Sequence, residues 1–422
     1  MLNQQTEAGG SASALPLQSI FADLHVHIGS SASGLPVKIS ASRGLTFRSI
    51  AHEASIRKGV RLIGVIDCHS PAVQDDIMKL LDAGEMEEAE GGGIRYRDTV
   101  ILLGAEMEIR EPGGGPFHLL GYLPNLQAMQ SWTEWMKPRM KNVQLSSQRI
   151  HSTARELQNE LLARGGLLAP AHVFTPHRGL LGCSADRLEE RLDPGGIAAV
   201  ELGLSADTEM AERLSQLDRY PFLTNSDAHS TGMIARECNE LLLREPSFAE
   251  FAKALRGEEG RGIAANYGLH PRLGKYHTTW CLNCHKAVPE GLQTESEAMK
   301  ACPACGSLKL VRGVAERIDQ LADRGSKAAD SIMQQPSDGS RLQRPPYWRQ
   351  VPLSFFPGVG PKMRDRLLTE VGTEMEILFR VTYEQLSAVT GEKIAGLILA
   401  AREQRVDFIA GSGGTYGKLT EA

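Results

Sequence analysis

The stretch FADLHVHIGS, residues 21–30, combines the apolar pattern of a buried β-strand with two histidines placed two positions apart. Side chains at i and i+2 of a strand project to the same side, so Asp23, His25 and His27 are predicted to face one way. A lone histidine at a strand end is usually a hydrogen-bonded structural residue. Two imidazoles side by side suit a shared cation, so the stretch indicates a metal site whose remaining ligands come from elsewhere in the chain.

The length of 422 residues is too great for one ordinary core and favours two or three domains. A composition of 41% hydrophobic and 23% charged residues is typical of a globular protein. No apolar run approaches the roughly 18 residues of a membrane span, and residues 1–20 lack the pattern of a signal peptide. We therefore expect a cytoplasmic protein that has no membrane partner.

The net charge of −5 conceals a division between the two parts of the chain. Residues 1–261 carry −8, whereas residues 262–422 carry +3. Six basic side chains face a single acid between positions 341 and 366, namely Arg341, Arg344, Arg349, Lys362, Arg364 and Arg366. Contact with phosphate groups is expected in this second part.

Short apolar strands alternate with amphipathic helices between residues 20 and about 230. The predicted strands are 21–26, 62–66, 100–105, 167–171, 198–202 and 221–224, and the predicted helices are 47–58 and 141–164. A hairpin is predicted over 106–122, turning at 111–115. Repeated β-α units imply a parallel sheet, open or closed as a barrel, in which ligands gather at the carboxyl ends of the strands.

The pattern of the opening stretch recurs at the ends of two other predicted strands. Further candidate ligands follow or lie within neighbouring strands, so the full set is Asp67 and His69, Asp227 and His229, Glu106, His118 and His172. Unrelated buried polar groups at one sheet edge would cost kilocalories each without compensation. Mixed nitrogen and oxygen ligands instead suit two or three divalent ions such as zinc, manganese or iron, with magnesium a further candidate, and a carboxylate such as Glu106 can bridge two of them.

Clustered divalent ions at an open strand-end site suit hydrolysis of a phosphoester. One ion lowers the pKa of water, and a pair stabilises the attacking and leaving oxygens together. Asp227, His229 and Glu106 are the candidates for direct participation.

The ordered motifs resemble those of the polymerase-and-histidinol-phosphatase (PHP) superfamily. The resemblance implies a distorted seven-stranded β/α barrel with a trinuclear metal centre. It would assign His25, His27, Glu106 and Asp227 to one ion, Glu106, His118 and His172 to a second, and His69 with His229 to a third. The loop that follows His27 departs from the family pattern, since residues 29–34 contain no acid, which weakens the third assignment.

Two C-x-x-C pairs, Cys281 with Cys284 and Cys302 with Cys305, have the spacing of a structural zinc site with four thiolates. Such a site stabilises a small ribbon that has little core of its own. A rubredoxin-like iron site and a redox dithiol are the alternatives. The other three cysteines are isolated, so no extracellular disulfide framework is indicated.

The segment FPGVGPK, residues 356–362, has a glycine turn, at Gly358 and Gly360, that opens a helix carrying Lys362 and Arg364. This resembles the helix-hairpin-helix, which binds the DNA backbone without reading sequence. A degenerate second copy follows at 390–395. A glycine turn between packed helices is the structural alternative.

The strings IDCHSP (66–71), TNSDAH (224–229) and PRLGKYH (271–277), followed by the four cysteines, resemble the endonuclease Q family over roughly residues 20–315. The resemblance implies a repair endonuclease that cuts 5′ to a deaminated base (uracil, hypoxanthine or xanthine) or an abasic site, and hence an association with the nucleoid. A lesion inside a duplex would have to flip into a pocket. Lys275, Tyr276 and His277 are candidate DNA contacts, although an ordinary domain junction explains that segment equally well.

These signals divide the chain into a PHP-like barrel at 18–262, a four-cysteine zinc domain at 263–323, a linker at 324–346, a helix-hairpin-helix domain at 347–410 and a tail at 411–422. Two other functions remain open. One is a phosphoesterase acting on a small phosphomonoester, and the other is a DNA-binding scaffold without catalytic activity.

Overall fold

A computed structural model describes residues 15–288, 301–325, 341–409 and 418–420. A mixed α/β barrel is followed by a small cysteine-rich ribbon and by a cluster of short helices. Most of the predicted linker and tail, and the middle of the cysteine domain, lie outside these residues. Among the described helices, none has both the length and the apolar character needed to cross a lipid bilayer.

The strands of the barrel domain include every strand predicted from the sequence, with boundaries shifted by a few residues. They are β1 (Gln18–Val26), β2 (Leu62–Val65), β3 (Glu87–Glu88), β4 (Ile94–Tyr96), β5 (Thr99–Ile109), β6 (Phe117–Leu123), β7 (Leu167–Pro170), β8 (Val200–Glu201), β9 (Phe222–Leu223), β10 (Cys238–Leu243) and β11 (Gly262–Gly268). Later in the chain come β12 (Trp280–Cys281), β13 (Leu310–Val311), β14 (Tyr347–Arg349), β15 (Asp407–Ile409) and β16 (Lys418–Thr420).

Seven of these strands close into a ring. β1, β2 and β5 pair in parallel, and β5–β6–β7 continue antiparallel. The amide of Ala198, at the entry to β8, donates to the carbonyl of Leu168 in β7 (2.8 Å), and β8 pairs in parallel with β9. A parallel bridge between Val26 and Ala228 returns to β1. The predicted distorted seven-stranded barrel is confirmed, and its distortion lies in β8 and β9, which have two residues each.

An antiparallel extension leaves the ring at β1. β10 pairs with the first half of β1, β11 pairs with β10, and β14 adds to β11 in parallel. The segment that follows the predicted linker is therefore hydrogen-bonded to the barrel sheet.

The helices are mostly short. They are α1 (Phe47–His52), α2 (Pro71–Asp82), α3 (Leu126–Met136), α4 (Ala154–Ala163), α5 (Thr208–Ala211), α6 (Phe248–Arg256), α7 (Val314–Leu321), α8 (Pro361–Glu370), α9 (Glu374–Phe379), α10 (Tyr383–Thr390) and α11 (Glu392–Arg402). The α1 helix is capped by Thr46, as predicted, and continues as a π-helical turn, Glu53–Lys58, that ends at Gly59.

The predicted helix at 141–164 is wrong in its first half. Only Ala154–Ala163 is helical, and Thr153 caps its start. Residues 140–152 form a loop that bridges to Glu108 of β5 and carries Ser146 and Ser147 to the rim of the barrel. The short polar side chains of this segment bond locally to backbone and to one another, which competes with helix formation.

The core has two apolar layers. Alternate residues of β1, β2, β5, β6 and β7 form one cluster with α6, and the remaining apolar residues pack against α1 to α4 and α8 to α11. Glycine is required where the inner layer is tightest, because a Cβ on Gly64 would come within 2.3 Å of the Leu24 carbonyl oxygen.

The C-terminal helices are fixed to the barrel by a buried ion pair. Lys58 Nζ lies 2.6 Å from Glu374 Oε2 at the start of α9, and both side chains are at most 5% exposed. Lys58 also donates to the carbonyl of Gly232 (3.4 Å) on the barrel rim. Because breaking a buried pair leaves an uncompensated charge, this contact restrains the position of the helices relative to the rim.

Glu237, directly before β10, is a buried carboxyl group whose effect on the stability of the fold can be tested. Its Oε1 accepts from the Leu269 amide (2.8 Å), and burial raises the pKa of its carboxyl to about 8 from an ordinary 4.5. The folded state thus retains a proton that the unfolded state loses, and stability falls between these pH values by up to roughly 1.4 kcal/mol per unit. We expect Glu237→Gln to raise the melting temperature more at pH 8 than at pH 5.

The control is Glu87→Gln, which makes the same substitution on the exposed strand β3. Melting curves of the three proteins at both pH values make the comparison. A Glu237→Gln stabilisation of equal size at pH 5 and pH 8 would show that Glu237 is already ionised in the folded protein.

Candidate metal centre

Candidate ligands from five strands meet at one rim of the barrel. His25 and His27 end β1, Glu106 lies in β5, and His172 follows β7. Asp227 and His229 follow β9, whereas His118 begins β6. Because β6 runs antiparallel to both β5 and β7, its first residues lie at the rim where those two strands end.

The centre of the cluster is a set of four side chains. His25 Nε2 lies 3.6 Å from Glu106 Oε1 and 3.5 Å from Asp227 Oδ1. His27 Nε2 lies 3.5 Å from Glu106 Oε2 and 3.5 Å from the same Asp227 oxygen. Ligands about 2.1 Å from a tetrahedral zinc ion are about 3.4 Å apart. Both Nε2 atoms are buried and have no hydrogen-bond partner in the described part of the chain, so the spacing and the chemistry fit a divalent cation.

Two further groups of potential ligands overlap this set. Glu106 Oε1 lies 2.8 Å from His118 Nδ1 and 3.4 Å from His172 Nε2. His27, Asp227 and His229 form the other group, with ligand atoms within 4.8 Å of one another. Glu106 is shared between the first two sets, which is the position of a carboxylate that bridges two ions.

His69 joins none of these groups among the described residues. Its Nε2 instead contacts the carbonyl of Leu145 (3.3 Å) on the loop 140–152. Strand β2 ends at Val65, and the chain then turns, so the i and i+2 rule no longer brings His69 to the same side as Asp67.

Asp67 orients a ligand rather than joining the cluster. Its Oδ2 accepts from His27 Nδ1 (3.0 Å) and from the Ile28 amide (2.7 Å). Glu201 has the same role for His25, whose Nδ1 lies 2.9 Å from Glu201 Oε1. When the far ring nitrogen donates to a carboxylate, Nε2 presents its lone pair inward, as in metal sites whose histidines are held by carboxylates.

Two candidate ligands have left-handed backbone conformations, which are rare outside glycine: Asp227 (φ 46°) and His172 (φ 29°). Buried carboxylates hold both segments. Asp23 accepts from the amides of Ser226 (3.1 Å) and Ala235 (2.8 Å), on either side of Asp227. Glu201 Oε2 accepts from the His172 amide (2.7 Å). These bonds compensate the strain and set the direction of the two side chains.

The electrostatics of the cluster favour a cation. Burial alone would lower the pKa of His25, but Glu201, Asp227 and Glu106 raise it to about 10. The surrounding imidazoles hold the pKa of Asp227 well below its usual range despite burial. Burial and the neighbouring His27 lower the pKa of His229 to about 4, so this ring is neutral at pH 7.

Lys38 also enters the site. Its Nζ lies 3.0 Å from Glu106 Oε2, and Ser147 donates to the same oxygen. Burial would lower the pKa of Lys38, but Glu106, Asp67 and Asp227 raise it, so the side chain is an ammonium at neutral pH.

The cluster forms the floor of a cavity of about 540 Å³. The cysteine ribbon contributes Lys275 and Tyr276 to its lining, and the barrel contributes His177 and Arg178. Tyr276 lies 5.6 Å from both His177 and Trp280 between ring centroids. His277, by contrast, is buried with Nδ1 3.3 Å from the Ser205 carbonyl, inside the junction between barrel and ribbon.

The four cysteines of the ribbon converge as predicted. Cys281 Sγ lies 3.7 Å from Cys305 Sγ, and Cys284 Sγ lies 3.6 Å from Cys302 Sγ. Bonds of about 2.3 Å to a tetrahedral zinc ion place sulfurs about 3.8 Å apart. The geometry fits structural zinc and is too wide for a disulfide.

The glycine turn adjoins the same rim. Gly358 (φ 87°) and Gly391 (φ 80°) precede α8 and α11, and a Cβ on Gly358 would lie 3.1 Å from Ile394, so the two hairpins pack together. Arg364 of α8 lies within 3.9 Å of the Cβ position of Gly232, three residues after His229.

Three arginines of the basic cluster are turned toward the barrel. Arg341 lies 2.9 Å from Glu212, and Arg349 lies 3.2 Å from Asp207. Arg344 donates to the Leu217 carbonyl and stacks 3.6 Å from the ring centroid of Phe222. These three arginines already have partners on the barrel, so within the basic cluster the hairpin residues Lys362 and Arg364 are the candidates for phosphate contact.

The sequence reasoning missed Glu201, Glu108, Lys38 and the Ser146–Ser147 pair. The sequence does contain an indication of Glu201, because a carboxylate stands inside a predicted apolar strand. Glu108 is indicated too, because it lies two residues after Glu106 on the same strand, and it pairs with Arg149 (2.8 Å) and Arg178 (2.9 Å). Lys38 and the serines come from loops, where spacing carries no such information.

Metal binding by this cluster should depend on pH. A cation must displace the proton of His25, whose pKa is about 10. Affinity for Mn²⁺ is therefore expected to rise by up to about tenfold per pH unit between pH 6.5 and 8.5. A competition titration with a chromophoric chelator measures it, with zinc left in the ribbon.

The matched control is Glu201→Gln, which removes the carboxylate that contributes most to the raised pKa of His25 and should flatten the pH dependence. An affinity of the wild type that stays constant over this range would mean that no such proton is displaced.

Comparisons with known proteins extend over nearly the whole chain. A family model described as PHP-associated matches residues 207–259. The uncharacterized protein YqxK of Bacillus subtilis (strain 168) is 45% identical over 405 residues, which cover 96% of this chain and 100% of YqxK. The structure of the lesion-specific endonuclease PfuEndoQ from Pyrococcus furiosus has a TM-score of 0.78 and 30% identity, covering 95% of each chain.

A second solved structure is endonuclease Q in complex with a 27-mer duplex substrate that has an abasic lesion at the active site. It has a TM-score of 0.79 and 29% identity, and the match covers 96% of this chain and 97% of that one. The shared length exceeds residues 20–315, so the C-terminal helices are part of the common architecture rather than an extension to it. The chain belongs to the endonuclease Q family.

Proposed function

We propose that the protein is a metal-dependent DNA repair endonuclease that hydrolyses the phosphodiester 5′ to a deaminated base (uracil, hypoxanthine or xanthine) or an abasic site. The observation that carries the proposal is Glu106, a buried carboxylate shared by two sets of imidazoles on the floor of an open cavity. DNA as the substrate also implies association with the nucleoid.

The proposed ligands are His25, His27, Glu106 and Asp227 for one ion, and Glu106, His118 and His172 for a second. Divalent ions bound there supply activation of water and stabilisation of negative charge on a phosphoryl group. His229 provides a place for the proton of the attacking water. It is neutral at pH 7, and with Nδ1 donating to the Asp227 carbonyl (3.0 Å) its Nε2 remains a proton acceptor.

The position of the ribbon supports a lesion pocket beside the cluster. Tyr276 and Trp280 stack within one aromatic group with His177 at the edge of the cavity. A flipped nucleotide or an abasic sugar requires such an apolar wall, and weakly paired or missing bases leave the duplex at the lowest cost. Lys275 is the proposed phosphate contact on this side.

The glycine hairpin supports a second DNA contact. The N-terminus of α8 carries Lys362 and Arg364 and lies against the turn that follows His229. Main-chain amides and the positive end of a helix attract phosphate. A duplex that runs from the cavity to this hairpin would be held by its backbone, independent of sequence.

Replacing His27 or Asp227 should abolish cleavage. We expect His27→Asn and Asp227→Asn to leave matched oligonucleotides with deoxyuridine or deoxyinosine intact in the presence of Mn²⁺, Mg²⁺ or Zn²⁺, because ligands of the central ion are lost. Affinity for the same duplex should persist, since backbone contacts lie elsewhere. Mapping of the break by gel electrophoresis, with fluorescence anisotropy for affinity, separates the two effects.

The control is His151→Gln, an exposed histidine on the loop 140–152, which should cut as the wild type does. Cleavage by both site variants would overturn the proposed ligand set. Equal cutting of undamaged duplex would overturn lesion specificity, and faster hydrolysis of a small phosphomonoester than of DNA would favour the phosphomonoesterase alternative.

Removing the hairpin lysine should weaken binding without changing specificity. We expect Lys362→Ala to lower affinity for damaged and undamaged duplexes equally. The slope of log affinity against log salt should fall by about 0.9, the value for one phosphate contact. Arg366→Ala on the same helix is the control, since its guanidinium already pairs with Glu370 (3.0 Å). A salt slope unchanged in Lys362→Ala would show that the hairpin does not contact the backbone.

A further inference from the structure

Lys38 lies on the segment that follows β1. The Lys38 amide donates to the Ile28 carbonyl (2.9 Å), and the Val37 amide donates to the Gly29 carbonyl (3.0 Å). On its other side, the Ser146 amide donates to the Val37 carbonyl (3.0 Å). The backbone at Lys38 is therefore fixed between the end of β1 and the loop 140–152.

The side chain of Lys38 points into the cavity and is 15% exposed. Its Nζ contacts Glu106 Oε2, the oxygen that also faces His27, and Ser147 holds the same pair from the other side. Holding an ammonium in a half-closed site costs desolvation energy that the pair with Glu106 offsets. This placement puts the Lys38 side chain beside the groups that would surround a scissile phosphate.

The loop beside Lys38 offers no acidic ligand for a third metal ion. Residues 29–34 contain no acid, and Asp67 Oδ2 is engaged by His27 and by the Ile28 amide. His69 faces the Leu145 carbonyl. Lys38 thus supplies positive charge beside a loop that offers no acidic ligand. Among the described residues, Asp67 Oδ1 and His69 Nδ1 are buried without a hydrogen-bond partner and are the atoms that a third ion would have to use.

We propose that Lys38 is a catalytic residue of the proposed hydrolysis and takes the place of a third cation. This inference rests on the proposed function. Nζ donates to a non-bridging oxygen of the scissile phosphate while the water oxygen forms its bond to phosphorus and the bond to the leaving oxygen breaks. The water proton passes to His229, the leaving oxygen takes a proton from solvent water as it departs, and Lys38 neither gains nor loses a proton. Its charge offsets the negative charge that grows on the phosphoryl oxygens.

If Lys38 had only a structural role, its replacement would have different effects from those of losing a catalytic residue. Lys38 would then neutralise Glu106 and so hold the ligands in place, and its loss would lower metal content or stability rather than the rate of the chemical step. Metal content and single-turnover rate therefore have to be measured on the same samples.

The test uses the full chain as Lys38→Gln, Lys38→Met and Lys38→Arg, with Lys141→Gln, an exposed lysine of the loop 140–152, as the control. Elemental analysis counts divalent ions per chain, anisotropy gives affinity for a lesion duplex, and a rapid quench gives the single-turnover rate. Removal of one donor to a developing oxyanion costs about 100-fold to 1000-fold. We expect that loss in the Gln and Met variants, with unchanged ion count and affinity, and partial recovery in Lys38→Arg.

The expected ion count of the wild type is two in the barrel and one in the ribbon. A third ion in the barrel, a Gln variant that cuts within threefold of the wild type, or parallel loss of metal and activity would each overturn the role of Lys38. In all three cases the wild type still cuts lesion DNA, so the proposed function survives. A metal-loaded wild type that cuts no lesion duplex would instead overturn the proposed function, and this inference with it.

Discussion

A single buried carboxylate, Glu106, sets the constraint on which the site depends. It is only 2% exposed and has His25, His27, His118, His172 and Lys38 around it. An ion in such surroundings is stable only if opposite charge compensates its lost hydration. The fold meets this requirement by closing seven strands into a ring, since only then do residues far apart in sequence reach the same two oxygens.

The strands and the histidine motifs were predictable because they follow simple periodicity. Apolar runs located all six predicted strands, and the i and i+2 rule placed His25 beside His27. The rule failed at His69, where the chain had already left β2, and at residues 141–153, where local polar bonds replace a helix. Lys38 could not be found in this way, because its position depends on a loop folded against another loop.

Buried carboxylates behind the candidate ligands explain why Asp227 and His172 can have strained backbone conformations. Asp23, Asp67 and Glu201 bond to ring nitrogens or to main-chain amides next to the candidate ligands, and all three are buried. Glu201 ends β8, Asp67 follows β2, and Asp23 lies in β1 two residues before His25. A motif such as Asp23-x-His25-x-His27 therefore encodes both a pair of candidate ligands and the group that orients the Asp227 turn.

The attachment of the C-terminal helices also depends on a buried charge that is paired. Lys58 bonds both Glu374 of α9 and the carbonyl of Gly232, which lies between His229 and the proposed phosphate contact at Arg364. The Lys58 ammonium thus holds the C-terminal helices close to the turn that follows His229. A hairpin on a free tether would bind DNA at any distance from the cavity. Under the proposed function, a hairpin fixed to the rim would limit a bound DNA backbone to one path across the candidate metal centre. Backbone contact that carries no sequence information could then decide which phosphodiester lies over Glu106.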